Sequence, residues 1–186
     1  TAPWWPEPCR PYTRFVGRQR ELWQLHAMLL QDRLVAVTGH QKAAMAQLLG
    51  LGGVGKSSLA IEYATLFEAA WPGGIFYLNL ADGRSQEQRE AEIARCMGLA
   101  GNTDPEQAAA LRRHLKGCNE PYLWLLDGVP AEFSAAQVQH CCAPGGAGRT
   151  LLTTRSRAWK SLGSHLNLDV LPPEDALQLL LRSEEH

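Results

Sequence analysis

The chain has 186 residues, with 45% hydrophobic and 20% charged side chains, a composition too apolar for a disordered chain and sized for about one domain. Eighteen Lys and Arg against 19 Asp and Glu leave a net charge of -1, which argues against nucleic-acid binding through bulk electrostatics. No apolar run approaches the roughly 18 residues of a membrane helix, so no membrane role is expected. The start, Thr1-Ala2-Pro3-Trp4-Trp5, has neither a charged nor an apolar leader region and lacks an initiator Met, the look of a fragment without a signal peptide.

Residues 1–14 read as a Pro-rich linker, with Pro3, Pro6, Pro8 and Pro11 opposing regular structure. Within it, the Trp4-Trp5 pair has two open fates, docking on the body or on a neighbour. A first helix is predicted from Arg18 to Gln31, with Leu22, Leu25 and Leu29 on one buried face. Leu34 to Gly39 follows, a short apolar β-branched run of the kind buried on both faces of a sheet. Four further strand-like runs are Ile75 to Leu80, Tyr122 to Leu126, Thr150 to Thr154 and Leu166 to Leu171. Helices are predicted at Ser57 to Ala70, Gln86 to Met97, Asp104 to Leu115 with Asp104 as N-cap and Pro105 at the first position, and from Pro172 onward. Alternating strands and helices require crossovers, hence a five-stranded parallel sheet between two helical layers, a three-layer α/β sandwich.

The five cysteines, Cys9, Cys96, Cys118, Cys141 and Cys142, are odd in number and show no C-x-x-C spacing, so free thiols in a reducing cytoplasm are expected. His140-Cys141-Cys142 lacks a fourth ligand nearby and reads as ordinary thiols at a helix end rather than a zinc site.

Gly50-Leu51-Gly52-Gly53-Val54-Gly55-Lys56-Ser57 matches the phosphate-loop pattern G-x-x-x-x-G-K-[ST] at each fixed position. Glycines let successive backbone N–H groups turn inward as an anion nest. Lys56 is placed to reach the β and γ phosphates, the Ser57 hydroxyl to ligate Mg²⁺, and the following helix start adds partial positive charge. Tyr122 to Asp127 is an apolar strand ending in an acid, the Walker B pattern, and makes Asp127 a second oxygen for Mg²⁺. Gly128 stands where many ATPases carry a second acid that activates water; Glu132 and Glu120 are the nearby substitutes. The third element is Thr153-Thr154-Arg155: if its strand lies beside the phosphate-loop strand, Thr154 and Arg155 face the γ-phosphate.

Together these pieces resemble the NB-ARC nucleotide-binding domain of the STAND class of P-loop signalling NTPases. Phe15-Val16-Gly17-Arg18-Gln19-Arg20-Glu21-Leu22 resembles its F-V-G-R-x-x-E-L lead-in, and Leu51 to Ala60 its G-G-V-G-K-T-T-L-A segment. Asp127-Gly128-Val129 takes the place of D-D-V, Thr153-Thr154-Arg155 that of the T-T-R sensor, and Leu171 to Leu180 that of the segment closing the core. The resemblance covers Phe15 to Leu181, so 15–186 is the nucleotide-binding core. It implies a cytoplasmic switch that holds ADP closed and opens for oligomerisation on exchange to ATP, with Mg²⁺ as the metal. It also implies that Val16 and Arg18 border the adenine, that Gly50, Gly52, Gly53, Val54, Gly55, Lys56, Ser57 and Ser58 hold the phosphates, and that Asp127 and Arg155 serve hydrolysis.

Three departures stand out. Gly128 replaces the second acid, which predicts slow hydrolysis. The chain ends before the helical lid, the winged helix and the effector and sensor domains of the family. His40 to Gly50 looks like an insertion of about eleven residues between strand and loop, with a helix-favouring composition; looping out, covering the site as a lid and replacing the strand end with Gln47 to Gly50 are the open placements, and looping out is the one predicted. Competing readings are an energy-driven ATPase of the AAA+ type, which needs a lid and an acid not found here, and a nucleotide-free scaffold whose insertion has disabled the loop. A GTPase is disfavoured by the absence of an N-K-x-D sequence.

Overall fold

The computed structural model describes residues 3–6, 17–39, 55–156 and 162–169. The expectations for Val16, Gly50, Gly52, Gly53, Val54, the His40 to Gly50 segment and the helix from Pro172 lie outside these residues.

The strands are β1 (Trp4–Trp5), β2 (Leu34–Gly39), β3 (Ile75–Asn79), β4 (Tyr122–Val129), β5 (Gly148–Thr154) and β6 (Ser164–Leu168). The helices are α1 (Gln19–Gln31), α2 (Lys56–Leu66), α3 (Gln86–Cys96), α4 (Asp104–Lys116) and α5 (Ala135–Cys141), with a 3₁₀ turn at Glu68–Ala70. All pairings are parallel, in the order β1-β3-β4-β5-β2-β6.

Strand alternation divides the apolar residues between two cores. Leu34, Ala36, Phe76, Leu78, Trp124 and Leu126 pack on one face against Ile93, Leu111, Leu115 and Val138 of α3, α4 and α5. Val35, Val37, Ile75, Leu123, Leu125 and Leu151 pack on the other against Leu22, Leu25 and Leu29 of α1 and Leu59, Ala60 and Tyr63 of α2. The three-layer sandwich expected from the alternation of elements is therefore present. Among the described residues no helix is long and apolar enough to cross a membrane.

Among the described residues the sheet has six strands, not the five predicted, because Trp4–Trp5 extends it at one edge. Two residues between prolines carry no periodic signal, yet Pro is tolerated at a sheet edge, where one side of the strand has no ladder to serve. The Ile75 N–H donates to the Pro3 carbonyl at 2.9 Å. Trp5 stacks on Phe76 with centroids 5.2 Å apart, while Trp4 packs against the opposite core. Gly74 makes the approach feasible: its φ is +109°, and a Cβ there would come within 2.5 Å of the Trp5 ring.

Other differences are local. The last strand begins and ends earlier than predicted, at Ser164 and Leu168, paired from Val35↔Ser164 to Gly39↔Leu168. The N-cap of α4 is Thr103, not Asp104: its hydroxyl accepts from the Glu106 N–H, and the Glu106 carboxylate accepts from the Thr103 N–H, a capping box. Helix α5 was absent from the predicted elements. It is seven residues long, and its signal is the same kind of box, Ser134 with Gln137.

Candidate nucleotide site

Ligands of open parallel sheets bind at the carboxyl ends of the strands. Here β4 and β5 end beside the start of α2. Gly55, the N-cap of α2, has φ +78° and no side-chain cap, so the first amides of α2 keep their N–H groups unclaimed by a capping side chain. That leaves a positive helix end at the mouth of a cleft of about 730 Å³. Gly55, Lys56, Ser57, Ser58 and Arg155 line it, together with Thr153 and Thr154 from β5, Ala81 after β3, Gly128 and Val129 at the end of β4, and Pro130 to Glu132 after it.

The condition attached to the third motif is met: β5 pairs directly with β2, from Leu34↔Thr150 to Val37↔Thr153. Arg155, just past the strand end, faces the cleft. Lys56 makes no hydrogen bond or ion pair among the described residues. Burial pushes its pKa below the usual lysine value, the nearby Arg155 adds to that, and Asp127 opposes it. Among the described residues, Lys56 thus has a second cation, Arg155, and one carboxylate, Asp127, acting on it.

The centre of the constellation is Asp127. Leu123, Leu125 and Asp127 point to one face of β4, and the same alternation brings Tyr77 of β3 and Thr153 of β5 to that face. Ser57 and Thr153 each donate a hydroxyl to Asp127 Oδ1 at 2.6 Å, and the Tyr77 phenol donates to Oδ2 at 3.0 Å. Thr153 Oγ1 in turn accepts the Gly128 N–H at 2.8 Å. The sequence pairs Asp127 with Ser57 and places Thr153 in the T-T-R motif, but it does not link Thr153 to Asp127 and does not single out Tyr77. Their signal is the two-residue strand period, usable only once the registers of β3 and β5 against β4 are known. Thr154, expected to face phosphate together with Arg155, lines the cleft with its hydroxyl donating to the Val129 carbonyl at 3.0 Å.

Gly128 is explained by backbone geometry. The β4–β5 pairing slips between Leu126 and Val129, and Gly128 sits in this irregularity with φ +73°. A Cβ there would lie 3.2 Å from the Ala81 Cβ. An acid at 128 would thus be strained in conformation and crowded, so position 128 is not a ready seat for a second carboxylate. Of the two substitutes, Glu132 lines the cleft, whereas Glu120 precedes β4 at the opposite end of the sheet.

Arg18 lies outside the described lining of this cleft. It is the N-cap of α1, 8% exposed, and has φ +57°, unusual for a residue with a side chain. Its guanidinium donates to the Asp169 carbonyl at 2.7 Å and pairs with Glu21 at 3.4 Å, tying the start of α1 to the chain just past β6.

No family model matches the chain. By fold, it is similar to Cdc6p from Pyrobaculum aerophilum, with a TM-score of 0.61 and 16% identity over 94% of this chain and 51% of that one. The shared fold is the parallel-sheet α/β sandwich of P-loop NTPases. The Aeropyrum pernix Orc1 protein, solved in complex with DNA, matches this fold with a TM-score of 0.50 and 18% identity over 92% of this chain and 50% of that one. By sequence, the chain is 36% identical over 168 residues to the regulatory protein AfsR of Streptomyces coelicolor and 36% identical over 163 residues to AfsR of Streptomyces griseus. Each match covers 82% of this chain but only 16% of the relative, so the P-loop domain described here corresponds to a small part of those proteins.

Proposed function

We propose that this domain is an adenine-nucleotide switch of the NB-ARC type within a signal-transducing regulator, binding ATP and ADP with Mg²⁺ and hydrolysing slowly. The observation that carries the reading is the meeting of Ser57, first-turn residue of α2, with Asp127 at the end of β4, 2.6 Å apart, in a cleft that also holds Lys56 and Arg155. A hydroxyl and a carboxylate oxygen so close suit a cation that takes few protein ligands and completes its shell with water and phosphate oxygens. Among the described residues no group of three or more His, Cys, Asp or Glu side chains could form an all-protein metal cage. On that geometry, Ser57 and Asp127 are the residues that would hold Mg²⁺, whose chemistry there would be to neutralise phosphate charge.

In this reading Gly52, Gly53, Val54, Gly55 and Ser58 belong with Lys56 to the phosphate cradle, and Arg155 reads the terminal phosphate. Val16 and Arg18 border the base, a role that suits the position of Arg18 at the start of α1, beyond the end of β6. The preference for adenine, the switch behaviour and nucleotide-dependent oligomerisation with effector and sensor domains rest on the NB-ARC resemblance and on the regulatory relatives. A net charge of -1 supports no direct nucleic-acid role for this domain. The observation against an energy-driven ATPase is Gly128, where no acid stands and none is easily seated.

Steady-state ATP hydrolysis tests the switch reading. Turnover well below the typical enzyme value of about 10 s⁻¹ is expected. Turnover near that value would favour a motor-like ATPase, with Glu132 as the first carboxylate to substitute.

A further inference from the structure

We propose that Tyr77 is a positioning residue that fixes the plane of the Asp127 carboxylate for metal binding; this rests on the nucleotide and Mg²⁺ reading above. The torsion that turns a carboxylate is soft, so donors on one oxygen alone leave the other free to swing. Ser57 and Thr153 both address Oδ1, and the Tyr77 phenol is the donor on Oδ2. Tyr77 is well placed for this because of register. It pairs with Leu125, one two-residue step below Asp127 on the same face, and the length of the phenol ring spans that step.

The three donors also differ in what carries them. Ser57 sits in the first turn of α2, where a phosphate or metal would compete for its hydroxyl. Thr153 and Tyr77 stand on β5 and β3, the strands that flank β4 on either side. These two hold the carboxylate from both edges whichever partner Ser57 takes. Ring packing alone does not need the hydroxyl: Tyr77 contacts the core on the α1 and α2 side, and Phe would fill the same space.

The test is Tyr77→Phe, with ATP affinity measured by calorimetry across a Mg²⁺ series and in EDTA. Tyr63→Phe is the control, since it removes a phenol that bonds His26 at 3.0 Å. The half-saturating Mg²⁺ concentration should rise about tenfold in Tyr77→Phe, the scale of one hydrogen bond to a charged group, with affinity in EDTA unchanged within about twofold. Tyr63→Phe should match the wild type in both. Wild-type Mg²⁺ dependence in Tyr77→Phe, or an equal loss with and without Mg²⁺, would overturn the positioning role alone. A wild-type protein that binds no nucleotide, or binds it without regard to Mg²⁺, would overturn the functional reading and this inference with it.

Discussion

Lys56→Ala should remove nucleotide binding while leaving the fold intact. Truncating one member of a desolvated, hydrogen-bonded charge pair costs about 2–5 kcal/mol, or roughly 30-fold to several thousandfold in affinity. In the free protein Lys56 is partly buried, lies near the cation Arg155 and makes no hydrogen bond or ion pair among the described residues. Its ammonium thus adds little to folding stability, and its removal relieves repulsion from Arg155. The expected pattern is a separation: ATP affinity collapses while the unfolding midpoint holds or rises slightly. Titration of labelled ATP beside a thermal melt of both proteins checks it. Equal affinity in the variant would remove Lys56 from the site, and a large fall in the midpoint would make it a structural residue.

The opposite separation is expected at Trp124. Its side chain is fully buried at the centre of β4, tilted 41° to Phe76 with centroids 5.7 Å apart. The indole N–H donates to the Cys141 carbonyl at 2.8 Å, joining the sheet to the end of α5. Trp124→Ala removes a large apolar surface, leaves a cavity and strips a buried carbonyl of its donor. Such truncations cost about 3–5 kcal/mol, a large share of the roughly 5–15 kcal/mol that holds an ordinary domain folded. At about 2–4 °C per kcal/mol for a chain of this size, the melting midpoint should fall by roughly 6–20 °C. Leu30→Ala, at a side chain 62% exposed, should shift it by little. Comparable small shifts in both variants would contradict the assignment of Trp124 to the core.

Why some features were legible in the sequence and others were not follows from the range of the interactions involved. Leu34 to Gly39 and Tyr122 to Leu126 were readable as strands because burial on both faces makes the whole run apolar. Leu22, Leu25 and Leu29 were readable as a helix face because the pattern repeats within one element. Trp4–Trp5 carried no such repeat, and its place depends on contacts with Phe76 and Gly74 far along the chain. Asp127 and Ser57 were found through local motifs. Thr153 was found as part of a local motif, but its bond to Asp127, and the whole part played by Tyr77, arise only through pairing across three strands, which no local pattern encodes. Gly128 was legible as a missing acid, but its reason is a slip in the β4–β5 pairing that bends the backbone into a left-handed turn.

The most direct test of the account is an equilibrium titration of the intact chain with ATP, ADP and GTP, each with Mg²⁺ and with EDTA. Saturable binding of ATP and ADP at one site, tightened by Mg²⁺ and much weaker for GTP, is the result expected. No binding of any nucleotide by the folded protein would contradict the account and leave the P-loop fold here as a scaffold for protein contacts.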